Sequence, residues 1–372
     1  MHFIIDDLVR LAKRDNNSIR PYLYVNPLQG KHIPANPQKT MDMCKELAER
    51  INNKYAGEKL YVIGFAETAT GVAAGVCYYL ENVLYFQNTT RETKECDEYL
   101  FFTESHSHAT DQMLKSACLA ETLDQVDRIL FIDDEVTTGN TICKLIDAIK
   151  ENYNAQRIKF SIVSVLNSMP EERLAQLKQM GIECLFLSEL PFEYKKDSIM
   201  DITYKEKNNT VVDSEKYMHL DTLAFNTKID VRTTTKFLEY ISEIKRFTET
   251  VLEKFSGFEN KKILVLGTEE FMFPAIYLGY ILKENDFDVK VHATTRSPIL
   301  ASDVIGYPLF HRFQIRSLYD DKRTTYIYNL EMYDKVIIVT DAEKIGNGIS
   351  DLVSALQSIG NNDIVLYQWK YK

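Results

Sequence analysis

The sequence predicts an α/β protein of two Rossmann-like domains with mainly parallel sheets, the second a degenerate copy of the first. Three observations predict it. Apolar runs of strand length, at residues 60–65 and 129–132, pass into loops rich in Gly and Thr and then into helical spacing, as buried parallel strands with crossover helices require. Strand and helix patterns alternate as far as residue 190. The same order of features then returns. Thr89-Thr90-Arg91 is echoed by Thr294-Thr295-Arg296, and Gly64 to Arg91 spans 27 residues where Gly267 to Arg296 spans 29. Arg91 to Asp134 spans 43, and Arg296 to Asp341 spans 45.

The first domain is read as residues 1–190. Ile4, Ile5, Leu8 and Leu11 give residues 1–14 the spacing of a short helix. Residues 20–37 are extended and Pro-rich, with Gly30-Lys31-His32 at a turn. There Lys31 and His32 could reach an anion or simply stand on a solvated turn. Thr40 is placed to cap a helix running to about Tyr55 and closed by Gly57. A strand at 60–65 leads through Glu67, Thr68, Ala69, Thr70 and Gly71 into a helix of small residues. A strand at 82–87 leads to Arg91 and a long polar stretch at 92–98, and residues 99–103 precede Glu104-Ser105-His106-Ser107-His108. His106 and His108 have the spacing of a metal pair, but no Cys or further His lies nearby, so a hydrogen-bonding or exposed pair is the reading. Strands at 158–166 and 184–187 flank a helix at 171–180.

The second domain is read as residues 191–372. Residues 191–230 are polar and irregular. A helix from Thr233 to Phe255, closed by Gly257, precedes strands at 263–267, 289–292 and 336–339.

The chemistry concentrates in RILFIDDEVTTGNTICKL, residues 128–145. An apolar strand delivers two carboxylates, Asp133 and Asp134, to its carboxyl end, where open α/β sheets hold ligands. The following loop of hydroxyls and glycine opens a helix, so its backbone N–H groups can cradle an anion. Acceptors beside an anion cradle suit sugar hydroxyls or a phosphate-bound Mg²⁺. The opening ILFIDDE also looks like a response-regulator receiver domain, but no Asp occurs between Asp147 and Asp197 to serve as phosphoacceptor. The second copy has Thr340-Asp341 where the first has Asp133-Asp134, and Lys344-Ile345-Gly346-Asn347-Gly348 in place of the cradle.

At these residues the chain resembles the type I phosphoribosyltransferases, whose signature is four apolar residues, an acidic pair and a short loop ending Thr-Gly-x-Thr. The resemblance implies that Asp133 and Asp134 hold the ribose hydroxyls of 5-phosphoribosyl 1-pyrophosphate. Glu135, Val136, Thr137, Thr138, Gly139, Asn140 and Thr141 would wrap its 5-phosphate, and Glu67, Thr68, Ala69, Thr70 and Gly71 its pyrophosphate. Arg91 and Lys94 match the basic side chains of the family's mobile loop. Glu135 stands where most members of the family carry an apolar residue. Thr295-Arg296-Ser297-Pro298, the IDDE form of the acidic pair and the segment from Gly30 to Pro34 resemble proteins in which a TRSP domain follows the phosphoribosyltransferase domain, found in bacterial tellurite-resistance and related stress gene clusters. The resemblance implies Mg²⁺-dependent phosphoribosyl transfer to a small acceptor, with Mg²⁺ held mainly through substrate oxygens. A non-catalytic sensor of the donor or of a nucleotide is the alternative.

Composition sets bounds on partners. A net charge of −10 argues against generic nucleic-acid or anionic-membrane binding. No signal-peptide core or long apolar span appears, and the cysteines at 44, 77, 96, 118, 143 and 184 form no CxxC pair. A reducing cytoplasm and a homodimer are the expected setting and assembly.

Overall fold

The computed structural model describes residues 3–15, 20–92, 98–102, 112–190, 202, 208–213, 220–254 and 261–371. Its described residues fall into two compact units that do not follow a simple cut at residue 190. One comprises Asp42–Phe192 with Ile229–Lys245, and the other Phe3–Met41, Glu193–Lys228 and Arg246–Lys372.

The first unit is built on a six-stranded sheet ordered Thr235–Lys236, Val83–Asn88, Leu60–Gly64, Arg128–Val136, Lys159–Asn167 and Ile182–Glu189. Every neighbouring pair is parallel except the first. The two central strands run buried between helices on both faces: every residue of Leu60–Gly64 and of 128–132 is buried, and of these only Arg128 is charged. Helix Ala69–Cys77 consists of small residues because it lies close on the sheet. A Cβ on Gly64 would stand 2.6 Å from both Ala73 Cβ and Asn88 Oδ1. Helices Asn140–Asn152 and Glu171–Gln179 pack over a core that includes Phe65, Phe131, Phe160, Ile142, Ile146 and Leu177.

The antiparallel edge strand comes from beyond residue 190 and is tied down by one buried amide. Gln87 Oε1 accepts from Tyr61 Oη at 2.5 Å and Thr234 Oγ1 at 2.7 Å, and its Nε2 donates to the carbonyls of Lys115 and Arg232 at 2.9 Å each. Lys115 Nζ lies 3.1 Å from Asp230 Oδ2. Burial would raise the Asp230 carboxyl, but Arg232 and Lys115 beside it outweigh that and hold it below the usual range.

The second unit has a five-stranded, wholly parallel sheet ordered Asp221–Thr227, Ile364–Tyr371, Lys335–Thr340, Lys262–Gly267 and Asp288–Ala293. Helices Phe273–Glu284 and Asn347–Ser358 cover it, and an antiparallel pair, Arg312–Arg316 with Thr324–Tyr328, adds to its core.

Hydrogen bonds match between the units and support the internal repeat. The backbone N–H of Ala66 donates to Thr89 Oγ1 at 2.9 Å, and that of Glu269 to Thr294 Oγ1 at 3.0 Å. Thr89 N donates to the Gly64 carbonyl, and Thr294 N to that of Gly267. Thr90 bridges Met113 antiparallel, and Thr295 bridges Tyr326 in the same manner. Glu92 N and Ser297 N each donate to a threonine hydroxyl two residues back.

Several element boundaries differ from expectation. The helix expected from Thr40 is Pro37–Lys54: Asn36 Oδ1 caps it through Gln38 N at 2.9 Å, and Thr40 lies inside. The helix expected from Thr233 is Phe237–Leu252, because Thr234 and Thr235 serve the sheet edge instead. At the N-terminus the helix is only Ile5–Leu8, followed by strand Arg10–Lys13 paired with Tyr22–Val25. Within the segment expected to be irregular, the described residues include strands Asn209–Val211 and Asp221–Thr227.

Candidate active site

In the first unit the chain leaves Leu60–Gly64 for Val83–Asn88 on one side and then Arg128–Val136 on the other. That reversal is the topological switch point, where the carboxyl ends of parallel strands leave a crevice. Asp133 and Asp134 stand there.

The acidic pair does not lie in a loop. Strand pairing continues through Val136, with Asp133 opposite Ser164 and Glu135 opposite Leu166, because the neighbouring strand extends to Asn167. Asp133 Oδ1 accepts from the backbone N–H of Asp134 at 2.9 Å. Burial, and after it the Asp134 carboxylate, push the Asp133 carboxyl well above the usual carboxylate range. Hydroxyl donors or a cation would favour its charged form.

The cradle is a short turn of Thr137, Thr138 and Gly139 ahead of helix Asn140–Asn152, so Asn140 and Thr141 lie on the helix's first turn. Gly139 has φ +68, the left-handed region that favours glycine. Asn140 N donates to Thr138 Oγ1 at 3.3 Å. Arg173, which no local signal in the sequence singles out, holds this turn from the next helix. Its Nε donates to the Thr138 carbonyl at 2.8 Å and its Nη2 to Asn140 Oδ1 at 3.1 Å.

The loop after Leu60–Gly64 contains Glu67 and Thr68 and opens helix Ala69–Cys77, which holds Thr70 and Gly71. The Ala66–Glu67 peptide bond is cis. Thr70 Oγ1 donates to the Glu67 carbonyl at 3.1 Å, and Gln112 Nε2, a second group without a sequence signal, donates to the Ala66 carbonyl at 3.1 Å. Phe65 N donates to the Ile132 carbonyl at 3.0 Å, joining this loop to the strand that carries the acidic pair. Half-buried Arg91 follows Thr89 and Thr90 at the end of the adjacent strand.

Lys94, His106 and His108 lie outside the described residues. Lys31 and His32 fall in the second unit, both buried, where Lys31 Nζ donates to the Glu269 carbonyl at 2.5 Å. They do not stand on a solvated turn.

The corresponding edge of the second unit is filled by its own side chains. Arg296 Nε donates to Glu269 Oε2 at 2.7 Å, and Tyr319 Oη donates to Asp341 Oδ1 at 2.6 Å. At the start of helix Asn347–Ser358, Asp321 Oδ1 accepts from Asn347 N at 3.1 Å. A Cβ on Gly346 would come within 2.8 Å of that carboxylate oxygen. A carboxylate thus sits where the first unit presents its open turn.

The family model described as phosphoribosyl transferase matches residues 8–190, and the TRSP domain, described as lying C-terminal to it, matches residues 229–356. No curated protein matches the chain. Among solved structures, adenine phosphoribosyltransferase from Thermoanaerobacter pseudethanolicus is 16% identical, with a TM-score of 0.35 over 50% of this chain and 98% of that one. Adenine phosphoribosyltransferase from Trypanosoma brucei, in complex with AMP, pyrophosphate and ribose-5-phosphate, is 10% identical, with a TM-score of 0.37 over 54% and 83%. A hypoxanthine-guanine phosphoribosyltransferase from Bacillus anthracis is 16% identical, with a TM-score of 0.27 over 43% and 82%. Similarities this distant leave the assignment resting on the family models. The chain belongs to the proteins in which a phosphoribosyl transferase domain is followed by a TRSP domain.

Proposed function

We propose that the first unit transfers 5-phosphoribosyl from 5-phosphoribosyl 1-pyrophosphate to a nitrogenous, nucleobase-like small molecule. The observation that carries this reading is the switch point itself, where two loop-to-helix turns flank an acidic pair. In the reaction the ribose C1–O bond breaks, pyrophosphate leaves with the bonding electrons, and the acceptor nitrogen forms the new bond to C1 and then loses its proton. Positive charge grows on the sugar and negative charge on the leaving group, so the protein must hold one in line and offer fixed donors to the other.

The turn at 137–141 binds the 5-phosphate through backbone N–H groups and hydroxyls, with Arg173 fixing its shape. Asp133 and Asp134 accept hydrogen bonds from the ribose hydroxyls. The loop at 67–71 and Arg91 offer donors to the pyrophosphate.

The residues fit a divalent cation such as Mg²⁺ carried by the donor. Among the described residues no group of three or more His, Cys, Asp or Glu could hold a metal by itself, whereas the crowded pair Asp133 and Asp134 would gain from a neighbouring cation. Bound there, Mg²⁺ would neutralise part of the leaving group's charge.

The test incubates the purified chain with donor, Mg²⁺ and a metabolite extract and reads products by mass spectrometry, beside an Asp133→Asn/Asp134→Asn control. A new ribosylated mass and released pyrophosphate are expected from the wild type alone. Unchanged calorimetric donor affinity in the folded double variant would remove the acidic pair from the site.

A further inference from the structure

In the second unit three cations close on one acidic residue. Glu269 follows strand Lys262–Gly267 with φ +44, a left-handed conformation rarely adopted by residues other than glycine, and it is almost wholly buried. Its Oε2 takes Arg296 Nε at 2.7 Å and Arg323 Nη2 at 3.2 Å, and its Oε1 accepts the Ser317 hydroxyl. Its carbonyl takes Lys31 Nζ at 2.5 Å. Ser317 Oγ accepts Arg323 Nη2 at 3.0 Å, and Arg296 Nη2 lies 3.6 Å from Glu270 Oε1.

The matched hydrogen bonds of the repeat set Glu269 on Ala66, Glu270 on Glu67 and Arg296 on Arg91. In the first unit that loop is the one assigned to pyrophosphate, and the present inference rests on that reading. Where the first unit has a methyl group, the second has a carboxylate lying on the arginine. Guanidinium and hydroxyl donors aimed at the two oxygens of one buried anion form the donor set that recognises an oxyanion. Residues so placed by a repeated framework, yet satisfied from within, describe a site with its occupant built in.

We propose that the second unit keeps an oxyanion site of the phosphate class at Arg296, Arg323 and Ser317, and that the Glu269 carboxylate is its resident occupant and keeps phosphate groups out. Ala66 marks the open form and Glu269 the closed one. A substitution toward the first unit should therefore create binding rather than remove it.

The test compares the full-length wild type with Glu269→Ala, with Glu269→Gln, which keeps most of the side-chain volume, and with Glu269→Ala/Arg296→Ala. Each is titrated with inorganic phosphate and, in a second arm, pyrophosphate, at matched ionic strength in chloride, following Tm and calorimetric stoichiometry. Glu269→Ala should lose thermal stability in chloride, recover it with phosphate, and bind one equivalent more than the wild type. Its phosphate-dependent Tm rise should exceed the wild type's, and the second substitution should reduce the new affinity by roughly tenfold or more. If Glu269→Ala does not fold in chloride, phosphate but not chloride should refold it, and Glu269→Gln should show the same gain in weaker form. Folded Ala or Gln variants with no gain over the wild type, or a gain that survives loss of Arg296, would overturn the proposal. The wild-type pyrophosphate titration reports separately on the loop of the first unit.

Discussion

Replacing Asp133 by Asn should stabilise the ligand-free protein while destroying its donor site. The Asp133 carboxyl is driven upward by burial and then by Asp134. Neighbouring like charges repel by a few kcal/mol at an effective dielectric of about 20, on the order of 4 kcal/mol for a pair ~4 Å apart. Both residues keep part of their surface in contact with solvent, which screens some of the repulsion, and a net effect of about 1 kcal/mol is expected. Because the folded-state pKa lies above the unfolded value, the native protein binds the extra proton. The associated stability is complete at or below the ordinary carboxylate range and is lost as pH rises through the folded pKa. An amide never ionises and escapes that loss. The variant and wild type should therefore melt together near about pH 4, with the variant gaining roughly 2–4 °C by about pH 8. Scanning calorimetry without donor across that range measures the difference, and titration with donor and Mg²⁺ should show the variant's affinity gone. A variant less stable than the wild type at the alkaline end, or a difference independent of pH, would refute the reasoning.

Gly139→Ala forces a side chain into left-handed backbone beside Ile162 Cδ1, which its Cβ would approach to 3.4 Å. It should cost about 1 kcal/mol in urea unfolding and weaken donor binding by more than that, since the turn's N–H groups shift with it. Gln87→Leu strands the carbonyls of Lys115 and Arg232 and leaves Tyr61 Oη and Thr234 Oγ1 with only each other at 3.1 Å, so it should cost roughly 2–4 kcal/mol, with faster hydrogen exchange confined at first to residues 229–236. Arg91→Ala should slow pyrophosphate release ~30- to 1000-fold while weakening donor binding far less, because its contact tightens as charge leaves the sugar. A sensor would show the reverse: affinity falling with the lost contact, and no pyrophosphate released by the wild type.

The apolar runs at 60–65 and 129–132 were legible as strands because a strand covered on both faces needs unbroken hydrophobicity. The polar continuation of Arg128–Val136 was not, since Asp133 and Glu135 are held in register only by the partner strand. Asp133, Asp134 and the glycine turn were legible from local order. Arg173 and Gln112 were not, because each reaches its loop through tertiary packing alone. The threonines at 233–235 suit the start of a helix, but Gln87, far away in sequence, holds Thr234 at the sheet edge and Thr235 pairs with Phe86 there.

The edge strand Thr235–Lys236 also bears on how the protein is made. A ribosome that has released residues up to 190 has delivered all of the first sheet except its border, and Val83–Asn88 then presents unpaired backbone to its surroundings. Synthesis at about 5–20 residues per second leaves that border bare for several seconds before the closing segment emerges. A fragment ending at residue 190 would never cover it. Such a fragment should aggregate through that bare edge, beyond any assembly the whole chain forms, and a gene cut at that point would yield a poor module for exchange between proteins.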